Sequence, residues 1–135
     1  MIGSHIVNFY YNSNMRLLIL SISFLMMSFN GDQKTYKGTA TYYGQNYTGR
    51  KTASGEIFHR DSLIAAHKTF KFGTIVRVTN LINDSVRYVK INDRLPKSSK
   101  HIIDLSYGTA KQLDFIRRGV IPVSIEIVDT VPIKK

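Results

Sequence analysis

The chain has 135 residues, 43% of them hydrophobic and 21% charged, which suits one globular domain and argues against a second. It contains no cysteine, so a disulfide framework, thiol catalysis, Cys-type zinc sites and a lipidated N-terminal Cys are excluded. Nineteen Lys and Arg against nine Asp and Glu give a formal charge of +10, an excess that favours polyanionic partners and says nothing about fold.

In chain order, the first distinctive segment is an apolar run at residues 17–29, behind Met15 and Arg16. It falls short of the ~20 residues a bilayer-spanning helix needs and fits the apolar region of a secretory signal peptide. A buried core helix is the alternative, but the run lacks the polar alternation of an amphipathic helix. No Ala-x-Ala follows, and only Ser28 and Gly31 offer small residues nearby, so a cleaved signal and an uncleaved anchor both stay open. Residues 1–14 are polar and aromatic, unlike the start of a signal, which makes Met15 the expected true start. Export leads away from chromosomal DNA and towards cell-wall polymers, whose peptide carboxylates are negative. Residues 1–30 are therefore read as an extension with signal peptide or signal anchor. Residues 31–135 are read as one domain with a core at about 36–129.

From Gly31 onward, short strand-like runs alternate with turn residues. Residues 37–44 read as a strand, followed by a polar, Gly-bearing loop at 45–55. Residues 62–66 suggest a helical turn. Strands follow at 74–79, 87–92, 101–105 and 122–128, with Asn83-Asp84 as a turn. Ser106 is placed to cap a helix from Tyr107 to about Arg117, with Ala110, Leu113 and Ile116 on one face and Gly119 ending it. The pattern predicts a mainly β domain with one or two short helices. Many short strands without long helical crossovers point to a closed barrel.

Several side chains could carry chemistry. Val89, Ile91 and Asp93 share one face of a regular strand, which would leave Asp93 at the end of an inward row. Desolvation there would raise its pKa towards that of a general acid. The alternative is that Asp93 simply opens a turn in Asn-Asp-Arg-Leu-Pro. Arg94 would point to the opposite face. Asp104 is a second carboxylate in an apolar strand context, and the pattern favours its bonding backbone N–H groups near the helix start. Glu56 reads alone as a solvated loop acid and His67 as a structural hydrogen-bonder. Tyr42, Tyr43 and Tyr47 crowd one segment, suited to core packing or to sugar rings. The four His show no His-Glu-x-x-His spacing, which argues against a zinc site. Nucleophile elbows, P-loops and dinucleotide fingerprints are absent.

Six strings, in order, carry a resemblance. They are Gly38-Thr-Ala-Thr-Tyr-Tyr-Gly44, Gly49-Arg-Lys-Thr-Ala-Ser-Gly-Glu56, Ala65-Ala-His-Lys-Thr69, Phe72-Gly-Thr-Ile-Val-Arg-Val-Thr-Asn80, Ile91-Asn-Asp-Arg94 and Ile102-Ile-Asp-Leu-Ser106. Together the chain resembles the rare lipoprotein A family of septal-ring lytic transglycosylases over about residues 36–128. The resemblance implies a six-stranded double-psi β-barrel acting on peptidoglycan glycan strands. It places the family's active-site Glu, His and Asp on Glu56, His67 and Asp93. The barrel is shared with expansins and some endoglucanases, where an Asp in a segment similar to 101–106 matters, so Asp104 rivals Asp93 for the acid role. Leu95 stands where similar sequences usually have Gly, and Tyr42 where Trp is common.

The activity so implied is endolytic cleavage between N-acetylmuramic acid and N-acetylglucosamine, leaving 1,6-anhydro ends. Asp93 would protonate the leaving oxygen and then take the proton of the C6 hydroxyl. One recycling group suffices, whereas hydrolytic glycosidases usually need two carboxylates. Glu56 would keep Asp93 protonated or bind sugar hydroxyls, and His67 would orient a carboxylate. Tyr43, Ser54, Arg94 and Asp104 are the expected substrate contacts. This chemistry needs no metal or organic cofactor. The expected partners are peptidoglycan and cell-division or wall-remodelling proteins, with no nucleic acid, and with membrane only through an uncleaved anchor. The expected location is the periplasm or cell envelope. The alternative function is a non-catalytic, expansin-like wall-binding or loosening module.

Overall fold

A computed structural model describes residues 33–128; the expectations for the extension, the signal segment and the true start lie outside them. Six strands form: β1 (Thr35–Tyr42), β2 (Ile64–His67), β3 (Ile75–Asn80), β4 (Val86–Arg94), β5 (Ile103–Leu105) and β6 (Ile121–Val128). A helix α1 (Tyr107–Gln112) lies between β5 and β6, and a 3-10 turn spans Gln45–Tyr47. The strands close into a barrel in the order β1-β5-β2-β4-β3-β6. β1 and β5 pair in parallel, as do β2 and β4, and the other four pairs are antiparallel. This is the expected six-stranded, mainly β barrel with its short helix.

Alternation builds the core. Ala40, Ala65, Val76, Val78, Val89, Ile91, Ile103, Leu105, Val123 and Ile125 are buried in one cluster inside the wall. Ala110, Leu113 and Phe115 join it from α1 and the turn beyond. A smaller cluster of Tyr43, Phe58, Ile64, Ala66 and Leu95 packs against the wall from the other side. The two clusters take alternate residues of β2: Ala65 belongs to the first, Ile64 and Ala66 to the second.

Two elements differ from the sequence expectation. The segment expected as a helical turn at 62–66 leads into strand β2, because β4 and β5 bond to it on both sides and override the weak strand propensity of two alanines. The helix stops at Gln112 instead of reaching Arg117. Asp114 adopts a left-handed backbone at φ 55°, which no helix continues through. The carbonyl of Leu113 instead accepts the side-chain amide of buried Asn80 at 2.9 Å and that of Asn83 at 3.3 Å. Ser106 caps α1 as anticipated, its hydroxyl accepting the Thr109 N–H at 3.2 Å.

Phe115 fastens this helical plug, being fully buried and edge-on to Tyr42 at 5.6 Å. Phe115→Ala is expected to lower the unfolding free energy by about 3–5 kcal/mol. Urea unfolding of both proteins measures it, and a loss under ~1 kcal/mol would contradict the packing described.

Candidate active site

One row of side chains crosses the wall of the barrel. Thr41 of β1 pairs with Asp104 of β5, Asp104 with Ala66 of β2, and Ala66 with Asp93 of β4. Paired residues share a face, and this is the face opposite Ala65, Ile91 and Leu105. All four line a cleft of about 460 Å³, together with Tyr43, Tyr47, Arg94, Leu95 and Pro96. Ala66 contributes only a methyl group between the two acids.

Asp93 reaches this row through a bulge. The β2–β4 register runs Ala65 to Ile91 and then Ala66 to Asp93, skipping Asn92. One extra residue turns the following side chain to the other face. Asp93 therefore does not end the inward row of Val89 and Ile91, as strict alternation predicts, but stands outside the wall in the cleft. Its carboxylate is held by three donors. The Tyr43 hydroxyl donates to Oδ2 at 2.6 Å, and the N–H groups of Ala53 and Arg94 donate to Oδ1 at 2.8 Å each. The Tyr43 hydroxyl keeps its proton, since burial and then the bond to Asp93 push its pKa up.

Asp104 is the contrasting acid. Its expected bonds to the helix start are not made: Ser106 performs that capping, while the Asp104 side chain turns to the outer face of β5. Its Oδ1 is buried and has no hydrogen-bond partner among the described residues. Burial, and secondarily the negative Asp93, push its pKa up to about 6.

The other motif residues lie elsewhere. His67 pairs with Ile103, a core residue, and so faces away from the carboxylates. Its Nδ1 accepts the N–H groups of Thr69 at 3.2 Å and Phe70 at 3.0 Å, and its ring stacks on Phe70 at 3.6 Å. Burial, then the charges of Arg94 and Lys68, lower its pKa to about 4, so it is neutral near pH 7. Glu56 is outside the cleft lining, with Oε1 on Lys90 Nζ at 2.8 Å and Oε2 on Asn92 Nδ2 at 2.9 Å. Those bonds, Lys90 first, lower its pKa and favour its charged form. Ser54 bonds Asn92 O through its N–H at 3.1 Å and Thr52 through its hydroxyl at 3.0 Å, and it does not line the cleft.

Arg94 does line the cleft. Its Nη1 donates to the carbonyls of His67 at 3.2 Å and Phe70 at 2.7 Å, and its guanidinium lies 4.1 Å from the Phe72 ring centroid. Among the described residues no cation pairs with Asp93 or Asp104; the ion pairs are Arg77–Glu126 and Lys90–Glu56. No group of His, Asp or Glu among the described residues is arranged to hold a metal. Tyr43, edge-on to Tyr47 at 5.3 Å and tilted against Phe58 at 4.7 Å, gives the cleft an aromatic wall. Pattern reading missed Lys90, Asn92 and the Ala53 amide, because Lys90 and Asn92 meet Glu56, and Ala53 meets Asp93, only across more than thirty residues of sequence.

A family model described as lytic transglycolase matches residues 35–125. A Campylobacter jejuni protein named endolytic peptidoglycan transglycosylase RlpA is 44% identical over 95 residues, covering 70% of this chain and 34% of that protein. A Treponema pallidum protein named probable endolytic peptidoglycan transglycosylase RlpA is 46% identical over 93 residues, covering 69% and 29%. The chain thus spans about a third of the length of these curated relatives. Among solved structures, the Streptomyces papain inhibitor matches with a TM-score of 0.58 at 23% identity, covering 70% of this chain and 94% of that one. An apo Clavibacter michiganensis expansin matches at 0.59 and 24% identity, covering 73% and 53%. An aspartate-to-asparagine mutant of the C. michiganensis expansin, in complex with cellohexaose, matches at 0.59 and 20%, covering 76% and 54%. These likenesses in structure are to the barrel.

The electrostatics are open to direct measurement. In carboxyl 13C NMR titration Asp104 is expected to titrate near 6. Asp93→Asn is expected to lower that midpoint yet leave it above the ordinary Asp value, because burial is the larger cause. An Asp104 midpoint near 3.8 in the wild-type protein would refute the environment described.

Proposed function

The chain belongs to the rare lipoprotein A family of double-psi β-barrel lytic transglycosylases, and from that premise we propose that the Asp93–Asp104 cleft cleaves peptidoglycan glycan strands. The bond broken joins N-acetylmuramic acid to N-acetylglucosamine, and the product carries a 1,6-anhydro end. The observation that carries this reading is the pairing of unlike carboxylates across Ala66, one with every oxygen held by donors and one with a buried oxygen left open.

The proton carrier in this reading is Asp104, the rival of the sequence expectation. Its raised pKa lets it reach the cleft protonated in mildly acidic conditions. It protonates the glycosidic oxygen as the bond from C1 breaks. Positive charge develops on the C1–ring oxygen pair and is stabilised by anionic Asp93, held in place by Tyr43, Ala53 and Arg94. The C6 hydroxyl of the same sugar then bonds to C1, and its proton returns to Asp104. No water is consumed and the enzyme ends as it began. The internal nucleophile is favoured by proximity. Tyr43 and Tyr47 offer faces to the sugar rings, and Arg94 offers a fixed cation to acidic substituents. His67 serves by fixing residues 67–70 and, through its carbonyl, the Arg94 side chain.

The protein works outside the cytoplasm in this reading, exported by residues 17–29, in the periplasm or cell envelope alongside division or wall-remodelling proteins. A non-catalytic wall-binding module is the second reading, favoured by the likeness of the barrel to an expansin.

Mass spectrometry of purified sacculi separates these. Wild type is expected to release anhydro-ended fragments, and Asp104→Asn to release at least ~100-fold less. Reducing ends would mean a hydrolase, and sacculus binding without soluble products would mean a binder. The sign of the pH dependence follows from the acid that must be protonated. Activity is present below about pH 6 and falls as pH rises through that value, approaching tenfold per unit above it. A rate that rises from pH 6 to 8 would overturn the role of Asp104.

A further inference from the structure

The connection between β1 and β2 carries a tight tip at residues 52–56. Thr52 N–H bonds Glu56 O at 2.8 Å, Gly55 N–H bonds Thr52 O at 2.9 Å, and Gly55 sits at φ +89°, a conformation that favours glycine. Four hydrogen bonds tie this tip to β4, all within residues 90–93. Ala53 N–H donates to Asp93 Oδ1 at 2.8 Å and Ser54 N–H to Asn92 O at 3.1 Å. Asn92 Nδ2 and Lys90 Nζ donate to the two oxygens of Glu56.

The bulge explains why these four bonds coexist. Lys90 pairs with Ile64, on the same face as Ala66 and Asp93, and the skipped residue Asn92 brings its side chain to that face beside Asp93. Adjacent residues of one strand thus both meet the tip. Asn92 is almost wholly buried, yet its Oδ1 has no partner among the described residues. A half-satisfied buried amide costs stability, so the bond it makes to Glu56 calls for an explanation.

We propose that Lys90 and Asn92 are positioning residues of this cleft. Through Glu56 they hold the 52–56 tip down, so that the Ala53 amide stays on Asp93. Glu56 is then an anchor and not a carrier of protons: both its oxygens are engaged, and it stands outside the cleft. The proposal rests on the Asp93–Asp104 reading for its effect on catalysis, but the clamp itself is a structural claim with its own readout. Opening the clamp frees the Ala53 amide and leaves Asp93 with two donors instead of three. Asp93 would then swing or lose its fixed orientation, which lowers the rate of the bond-breaking step more than substrate binding.

The experiment uses Glu56→Ala, Glu56→Gln, Lys90→Met and the charge-swapped Glu56→Lys/Lys90→Glu pair in the full chain. Glu56 and Lys90 are well exposed, so folding should survive, and circular dichroism with thermal unfolding checks it. Two readouts are taken: turnover on sacculi, split into kcat and KM, and hydrogen exchange of the Ala53 amide by 15N NMR. Glu56→Ala and Lys90→Met are expected to lower kcat about tenfold with KM within about twofold, and to speed Ala53 exchange by a similar factor. Glu56→Gln keeps an acceptor and loses less than Glu56→Ala, and the swapped pair recovers part of the loss of Lys90→Met. The proposal is overturned if Ala53 exchange is unchanged in Glu56→Ala and Lys90→Met. It is also overturned if Glu56→Gln alone abolishes turnover while Lys90→Met behaves as wild type, since that marks Glu56 as chemical. If wild type itself makes no anhydro ends, the enzymatic reading fails, while the exchange data still decide the clamp.

Discussion

One extra residue in β4 is the constraint on which the cleft depends. A regular strand sends alternate side chains to opposite faces, and Ile91 faces the core. Without the skip at Asn92, Asp93 would face the core too, a charge among Val89, Ile91 and Ile103 with no donor to meet it. Burying it there would cost several kcal/mol or neutralise it. The bulge instead delivers Asp93 to the outer face, level with Ala66 and two strands from Asp104. It also seats Asn92 under the 52–56 tip. The same residue insertion thus aims an acid and fastens the loop that steadies it.

Electrostatics in the cleft depend on what is kept away as much as on what is present. The chain carries a formal charge of +10, and a cation in contact with Asp104 would pull its pKa below the ordinary range. The nearby cations are turned elsewhere. Arg94 gives Nη1 to two backbone carbonyls and rests on Phe72, and Lys90 is bound to Glu56. Asp104 is left with burial and the negative Asp93 as its governing influences, and both raise its pKa. Asp93 meets only neutral donors and satisfies them all at once. Two aspartates of identical chemistry thus meet different surroundings, the condition under which the proposed mechanism gives them different tasks.

The motif residues illustrate how far pattern reading extends. Glu56 and His67 belong to strings that mark the family, yet neither side chain lines the cleft. His67 sits one residue after Ala66, and alternation sends it to the opposite face, where it terminates backbone N–H groups of the following turn. Glu56 is three residues beyond Ala53, close in sequence to a cleft contact and separated from the cleft by the turn of the tip. Tyr43 was foreseen as a sugar contact, and in the fold it also holds Asp93. Asp104 was foreseen as bonding backbone N–H groups near the helix start, but its side chain turns to the outer face of β5 and Ser106, two residues on, does the capping.

Composition and local spacing were enough to specify a cysteine-free, basic, strand-rich domain closed into a barrel with one short capped helix. They suffice because alternation, turn residues and caps act over a few neighbours, and each is written in the residues that perform it. The orientation of the acids was not written there. It follows from strand pairings between segments tens of residues apart, from one residue skipped in a register, and from the burial those pairings create. Such long-range geometry has no local signature, so the face on which Asp93, Asp104 and His67 stand, and the shifted proton affinities of Asp104 and His67, came from the folded barrel alone.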